Sequence, residues 1–302
     1  MFFHGRGDFA RARPLHERAL AIREGVLGPE HPDTARSLAT LALLLRDQGE
    51  LIGARPLVER ALSIYEKVLV PEHPDTAWSL STLAALLRDQ GDYAGAQCLH
   101  ERALRIRERV LGPEHPDIAW SVNAIALLLR DGGNYTAARP LFERALAIRE
   151  KALGPQHRHT AWTLNSLGVL LREQGDYAGA RHLHELALAI REKALGPEHP
   201  ETAWSLNHIA LLLRDQGDYT GARPLFERAL AIREKVLGPE HPDTAWSLST
   251  LALLLRDQGD HTGARPLFER ALAIYERHFG PEHPHTAWSL SNLSLLLREQ
   301  AT

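Results

Sequence analysis

The sequence predicts an all-α solenoid of antiparallel helix pairs, and three observations carry that expectation. The first is a strict period: Gly7, Gly49, Gly91, Gly133, Gly175, Gly217 and Gly259 recur every 42 residues, and Ala35, Ala77, Ala119, Ala161, Ala203, Ala245 and Ala287 keep the same step with no insertion or deletion. The second is helical spacing of apolar residues inside each period, and the third is a Gly-Pro-Glu-His-Pro break that returns with it. A regular period means that each unit packs mainly on its neighbours along one line. No domain boundary is therefore expected within 1–302. The array reads as a half unit over 1–33 (a second helix and linker), six full units over 34–285, and a half unit over 286–302 (a first helix).

Thr202 to Asp243 serves to justify the elements in order. Leu206, Ile209, Ala210 and Leu213 follow the i, i+3, i+4, i+7 pattern of a helix face, while Leu211 and Leu212 add apolar surface outside it. A helix this apolar on several sides needs more than one covering neighbour. Gly217 and Asp218 then supply a turn. A second helix is expected from about Tyr219 to Leu237, with Ala222, Leu225, Phe226, Ala229, Ile232 and Val236 buried and Arg223, Glu227, Arg228 and Glu234 facing water. The run from Glu227 to Glu234, which includes Arg233, has the spacing of a solvated face. Pro224 falls near the first turn, where its missing N–H is tolerable. Two prolines in Gly238-Pro239-Glu240-His241-Pro242 end the helix, and Asp243 or Thr244 is expected to cap the next.

Leu206, Ile209, Ala210, Leu213, Ala222, Phe226 and Ala229 fall at the spacing of the tetratricopeptide signature, so the chain resembles that family. Leu206 stands for the signature tryptophan, Leu213 for its first-helix tyrosine and Glu234 for its closing proline. The longer unit, with the run Ala229 to Thr244, resembles the kinesin light chain and nephrocystin branch. The resemblance implies a right-handed superhelical solenoid that binds peptides or protein surfaces in a groove lined by the first helices. It names no ligand.

The composition limits the alternatives. Thirty-five basic and 38 acidic residues give a formal charge of -3, so no global field draws the chain to nucleic acid or anionic lipid. Apolar runs such as Leu41 to Leu45 fall far short of the ~20 residues that span a bilayer, and MFFHGRGDFARARP lacks a secretory pattern. A soluble cytoplasmic protein is the default expectation. The single cysteine, Cys98, excludes an intramolecular disulfide. No Walker loop, strand-linked Gly-x-Gly-x-x-Gly, Gly-x-Ser-x-Gly or His-Glu-x-x-His is present, so no catalytic residue and no cofactor are expected. Seventeen histidines raise the question of metal, and His157 with His159 or His283 with His285 offers a His-x-His spacing. Most of the linker histidines occur once per unit, however, and packed helices lie about 8–10 Å apart whereas zinc ligands reach about 2 Å, so linker packing is expected and no metal site.

The candidate binding face is a stripe of the first helices. Trp78, Trp120, Trp162, Trp204, Trp246 and Trp288 each start one, with Arg36 in the first copy. Two readings stand for them: packing between units, or partial exposure to a ligand. The copies differ most at a polar pair, Asn123-Ala124, Asn165-Ser166 and Asn207-His208 among them, and helical spacing places Trp204, Asn207 or His208, Leu211 and Asp215 on one stripe. Asn123, Asn165 and Asn207 are expected at the groove centre, where an amide that both donates and accepts suits a ligand backbone. Arg130, Arg172 and Arg214, beside Asp131, Glu173 and Asp215, follow seven residues later. The expected function is a protein or peptide scaffold, and the alternative an architectural or oligomerisation arm of a larger signalling protein. His16, His100 and His184 occupy the slot that Phe142, Phe226 and Phe268 fill elsewhere, and are expected partly buried and neutral. Because Met1 to Gly7 aligns with Leu43 to Gly49 and 286–300 is a first helix without its second, the chain is expected to be a piece of a longer array or to cover its end faces by self-association.

Overall fold

The computed structural model describes residues 9–70 and 72–300, which form fourteen α-helices and no strand. The alignment of Met1 to Gly7 lies outside the described residues. First helices are α2 (Pro32–Asp47), α4 (Pro74–Asp89), α6 (Pro116–Asp131), α8 (Arg158–Glu173), α10 (Pro200–Asp215), α12 (Pro242–Asp257) and α14 (Pro284–Gln300). Second helices are α1 (Phe9–Leu27), α3 (Leu51–Val68), α5 (Tyr93–Leu111), α7 (Tyr135–Leu153), α9 (Tyr177–Leu195), α11 (Tyr219–Val236) and α13 (His261–Phe279).

The caps explain the boundaries. The linker histidine is the N-cap of α10, and its Nδ1 accepts a hydrogen bond from the Glu201 N–H at 3.1 Å. His241 does the same for Asp243 at 3.1 Å. Asp243 is thus the capped donor rather than the cap, and Thr244 turns back to donate to the Gly238 carbonyl at 2.9 Å. Histidine fills a role usually held by Ser, Asp or Asn because its ring nitrogen accepts at the same distance from the backbone. Second helices begin on an aspartate or asparagine in five copies, as where Asp218 accepts from the Gly221 N–H at 2.9 Å. Between the helices, Gly217 adopts φ +80°, a left-handed conformation that a side chain would strain, and closes α10 by donating to the Arg214 carbonyl.

Contacts group the chain into two compact units, Met1–Gly154 and Pro155–Thr302. Nothing in the repeat register marks this division, since Gly154-Pro155 has the same Gly-Pro start as Gly238-Pro239. Within the first unit Leu41, Ala42, Leu44 and Leu45 of α2 pack on Ala54 and Val58 of α3 and on Leu83 and Leu86 of α4. Within the second, Ile209, Ala210 and Leu213 of α10 pack on Ala222 and Phe226 of α11 and on Leu251 and Leu254 of α12. Each cluster therefore joins one helical hairpin to the next first helix, which is how a unit too thin to bury its own core becomes stable. Alanines at the crossings let the backbones approach, and each fully buried Phe contributes about 2 kcal/mol of transfer free energy.

The second-helix face departs from expectation at four positions of α11. Val236 is exposed, Leu225 and Glu234 are half-buried, and Arg233 is buried. Arg223 and Glu227 do face water and form an i, i+4 pair at 2.8 Å. The expected burial of the histidines is found: His184 is fully covered, His100 is buried and His16 half-buried.

Candidate functional site

The asparagine series is the first correction. Asn123, Asn165 and Asn207 are all fully buried and offer no amide to a ligand. Asn165 donates from Nδ2 to Ser205 Oγ at 2.9 Å and accepts at Oδ1 from His184 Nδ1 at 2.8 Å. Asn207 Nδ2 lies 3.4 Å from both Ser247 Oγ and Thr250 Oγ1. Asn123 has no side-chain partner among the described residues. A first helix in a stack is flanked by its own second helix and by the first helices beside it, so the free strip is narrower than one helix face and the asparagines fall under the neighbour.

His208 is also buried, and burial pushes its imidazole well below the ordinary range. Its ring meets the edge of Trp204 at 4.1 Å, stacks on His184 at 5.4 Å and lies 5.9 Å from Trp246. A carbonyl oxygen only accepts, so the hydrogen on His184 sits on Nδ1. Gly168 takes the place of the alanine found at Ala126 and Ala210, and a Cβ there would come within 2.7 Å of His184 Cε1.

What remains accessible on each of these first helices is a short strip of tryptophan, leucine and paired charge. Trp120 is 43% exposed, while Trp162 and Trp204 are half-buried. Each of these rings is thus partly packed and partly in contact with solvent. Leu127 and Leu211, seven residues on, are half-buried on the same face. Arg130, Arg172 and Arg214 close the strip, each paired with a carboxylate: Arg130 with Asp131 at 2.7 Å, Arg172 with Asp215 at 3.6 Å, and Arg214 with Asp215 at 3.3 Å and Asp257 at 3.4 Å. These carboxylates balance the charge of the three arginines.

Beneath the tryptophans lies a group of arginines, Arg233 among them, that helical spacing alone assigns to a solvated face. Arg149, Arg191 and Arg233 are buried, and their guanidinium groups lie over Trp120 at 4.5 Å, Trp204 at 5.2 Å and Trp246 at 4.8 Å. Arg191 and Arg233 also donate to Ser205 Oγ at 2.6 Å and Ser247 Oγ at 2.5 Å. Burial lowers all three to about 10, which leaves them charged at neutral pH. The signal was in the sequence: Tyr65 and Tyr275 replace arginine at this slot of the period, and only a buried, flat, half-polar position accepts both. Among the described residues no group of three or more His, Cys, Asp or Glu is placed to hold a metal ion. His157 and His283 instead spend Nδ1 on the N–H of His159 and His285, at 3.1 Å in each case. No helix of the described residues is long and apolar enough to cross a membrane.

Helical hairpins that bury recurring polar and aromatic residues, and expose only a strip of their first helices, define an all-α repeat solenoid. A family model described as tetratricopeptide repeat matches residues 1–67, 39–109, 99–151, 117–193, 170–234, 201–277 and 248–301, and the chain belongs to the tetratricopeptide repeat family. The structure is similar to a putative kinesin light chain of Podospora anserina with nearly identical repeats, at 29% identity and TM-score 0.54 over 68% of this chain and 98% of that one. It is also similar to BtubC (BKLC) from P. vanneervenii, at 24% identity and TM-score 0.60 over 76% and 91% of the two chains. A tetratricopeptide repeat protein from Parabacteroides merdae matches at 18% identity and TM-score 0.64 over 98% and 94%. Among curated proteins no sequence relative matches. The neighbours thus include kinesin light chain-like proteins, and repeats of the tetratricopeptide family generally mediate protein–protein interactions on non-catalytic scaffolds.

Proposed function

We propose that this chain is a protein-interaction module whose first helices hold an extended or helical segment of a partner protein. The observation that carries the reading is Trp120, an indole left 43% exposed on a helix whose other faces are covered. Exposed tryptophan is costly to keep in water and is favoured where a partner covers it. Leu127 lies beside it on the same face, and the paired Arg130 and Asp131 end the strip. An apolar floor with balanced charge at one rim suits a segment that brings apolar side chains at helical or extended spacing and a polar group of either sign. Residues 1–302 act in this reading as one module, without catalytic residue, cofactor or metal.

The test is affinity capture with the chain as bait, followed by titration of whatever is recovered in stoichiometric amount. Trp120→Ala with Leu127→Ser should weaken binding at least about tenfold, since one buried aromatic anchor commonly contributes 2 kcal/mol or more. Undiminished binding by that variant, with its helical content intact, overturns the assignment of the face.

A further inference from the structure

The second helices turn one stripe of side chains to water, and on α9 that stripe is unlike the rest. His182, Leu186, Ala189 and Lys193 lie at i, i+4, i+7 and i+11, so they share one face, and all four are exposed. Arginine holds the Leu186 slot in every other copy, and in five of them it pairs with a glutamate, as Arg102 does with Glu66 and Arg228 with Glu192, both at 2.7 Å. Leu186 forms no such pair and is 37% exposed. The basic residue at the Lys193 slot likewise pairs with a linker glutamate in five copies, as Lys151 does with Glu114 and Lys235 with Glu198, both at 2.5 Å. Gln156 stands in that glutamate's place, and the residues one turn from Lys193, Ala189, Ile190, Gly196 and Pro197, carry no carboxylate. Lys193 therefore has no ion-pair partner among the described residues.

We propose that this stripe of α9 is a second docking surface, taken by an amphipathic helix of a partner protein that seats an apolar side chain on Leu186 and brings a carboxylate to Lys193. The other copies state the chemistry that is missing, since there the chain itself supplies a carboxylate to the same slot. The spacing favours a helix. Leu186 and Lys193 lie seven residues apart, about 10.5 Å at 1.5 Å per residue, so a helix laid along α9 meets both with side chains two turns apart. Ala189 between them is small enough for two backbones to approach to the ~8–10 Å of packed helices. The neighbouring charges are already paired, Arg181 with Glu185 at 2.8 Å and Arg228 with Glu192, which leaves Lys193 to select the sign of the partner. The surface lies on a second helix and is separate from the Trp120 strip of the first helices.

The probe is a displayed library of single amphipathic helices, selected on the full 302-residue chain. The first variant joins Leu186→Arg to Gln156→Glu, which restores the residues the other copies carry at these slots and so spares the fold. Helices selected on the parent should bind it at least about tenfold more weakly, and should carry Asp or Glu seven residues from an apolar residue. Lys193→Glu, at an exposed site, should weaken binding to the same degree, and exchanging the acid of the selected helix for lysine should recover it. The Trp120→Ala, Leu127→Ser variant should bind these helices within about twofold of the parent, which distinguishes this surface from the strip. A library that yields no helix preferring the parent to the restored variant overturns the proposal, as does undiminished binding by Lys193→Glu or a charge exchange that fails to recover it. Binding lost in the Trp120 variant alone would assign the helix to the first-helix strip and refute the α9 surface.

Discussion

His184 shows how one substitution reorganises its surroundings. Phe142 and Phe226 fill the same slot as plain hydrophobes, but an imidazole there needs a hydrogen-bond acceptor, which Asn165 supplies, and room, which Gly168 supplies. Burial, reinforced by Arg172 and Arg191, lowers His184 to about 3, and burial with Arg107 and Arg88 lowers His100 to about 4. A histidine whose folded pKa lies below its unfolded value of about 6.5 favours the folded state fully above that pH and progressively less as pH falls toward the folded value. At pH 5 each should cost about 2 kcal/mol of stability relative to pH 7, at about 1.4 kcal/mol per pH unit. Thermal melts at the two pH values should therefore separate in the parent and draw together in a His100→Phe, His184→Phe variant. An identical acid sensitivity in both proteins would show that these rings are not the groups responsible.

Each linker is a device for ending one helix and starting another. In α10 and α12 the prolines occupy the first helical position, where no N–H is needed, and the preceding histidine covers the next donor with its ring. Pro224 sits within α11 as its sixth residue, and the carbonyl it leaves unbonded belongs to exposed Thr220, which water can reach. Replacing His199 by Ala removes an N-cap acceptor and should cost about 1 kcal/mol in urea unfolding, whereas Asn, itself a good N-cap, should hold most of the stability. A His199→Ala protein with an unchanged midpoint would mean that the cap contributes nothing.

At the scale of the whole chain, the exposed Trp120 and the buried His184 belong to different compact units. Mutations at sites that share no neighbours act independently. Trp120→Ala should thus leave the acid sensitivity of the melt unchanged, and His184→Phe should leave partner affinity within about twofold of the parent. Loss of both properties in either variant would mean that partner binding and the buried histidine are coupled through the stack.

Residue by residue, the legible part of this protein is what recurs. The glycine and alanine ladders and the stripe of Leu206, Ile209 and Leu213 determined the helical hairpins, their order and their apolar contacts, because a helix-period pattern repeated in strict register buries its faces only by stacking. The same pattern could not tell which polar residues the stack would enclose. Asn207 and Arg233 look like surface residues along their own helices and are covered only because another helix crosses them. His241 caps rather than Asp243, because the direction of the chain leaving Gly238 brings the imidazole, not the carboxylate, to the first free N–H. Local sequence fixes periodicity and turn chemistry, while the burial of a polar group depends on the distance between helices, a quantity that exists only once they have packed.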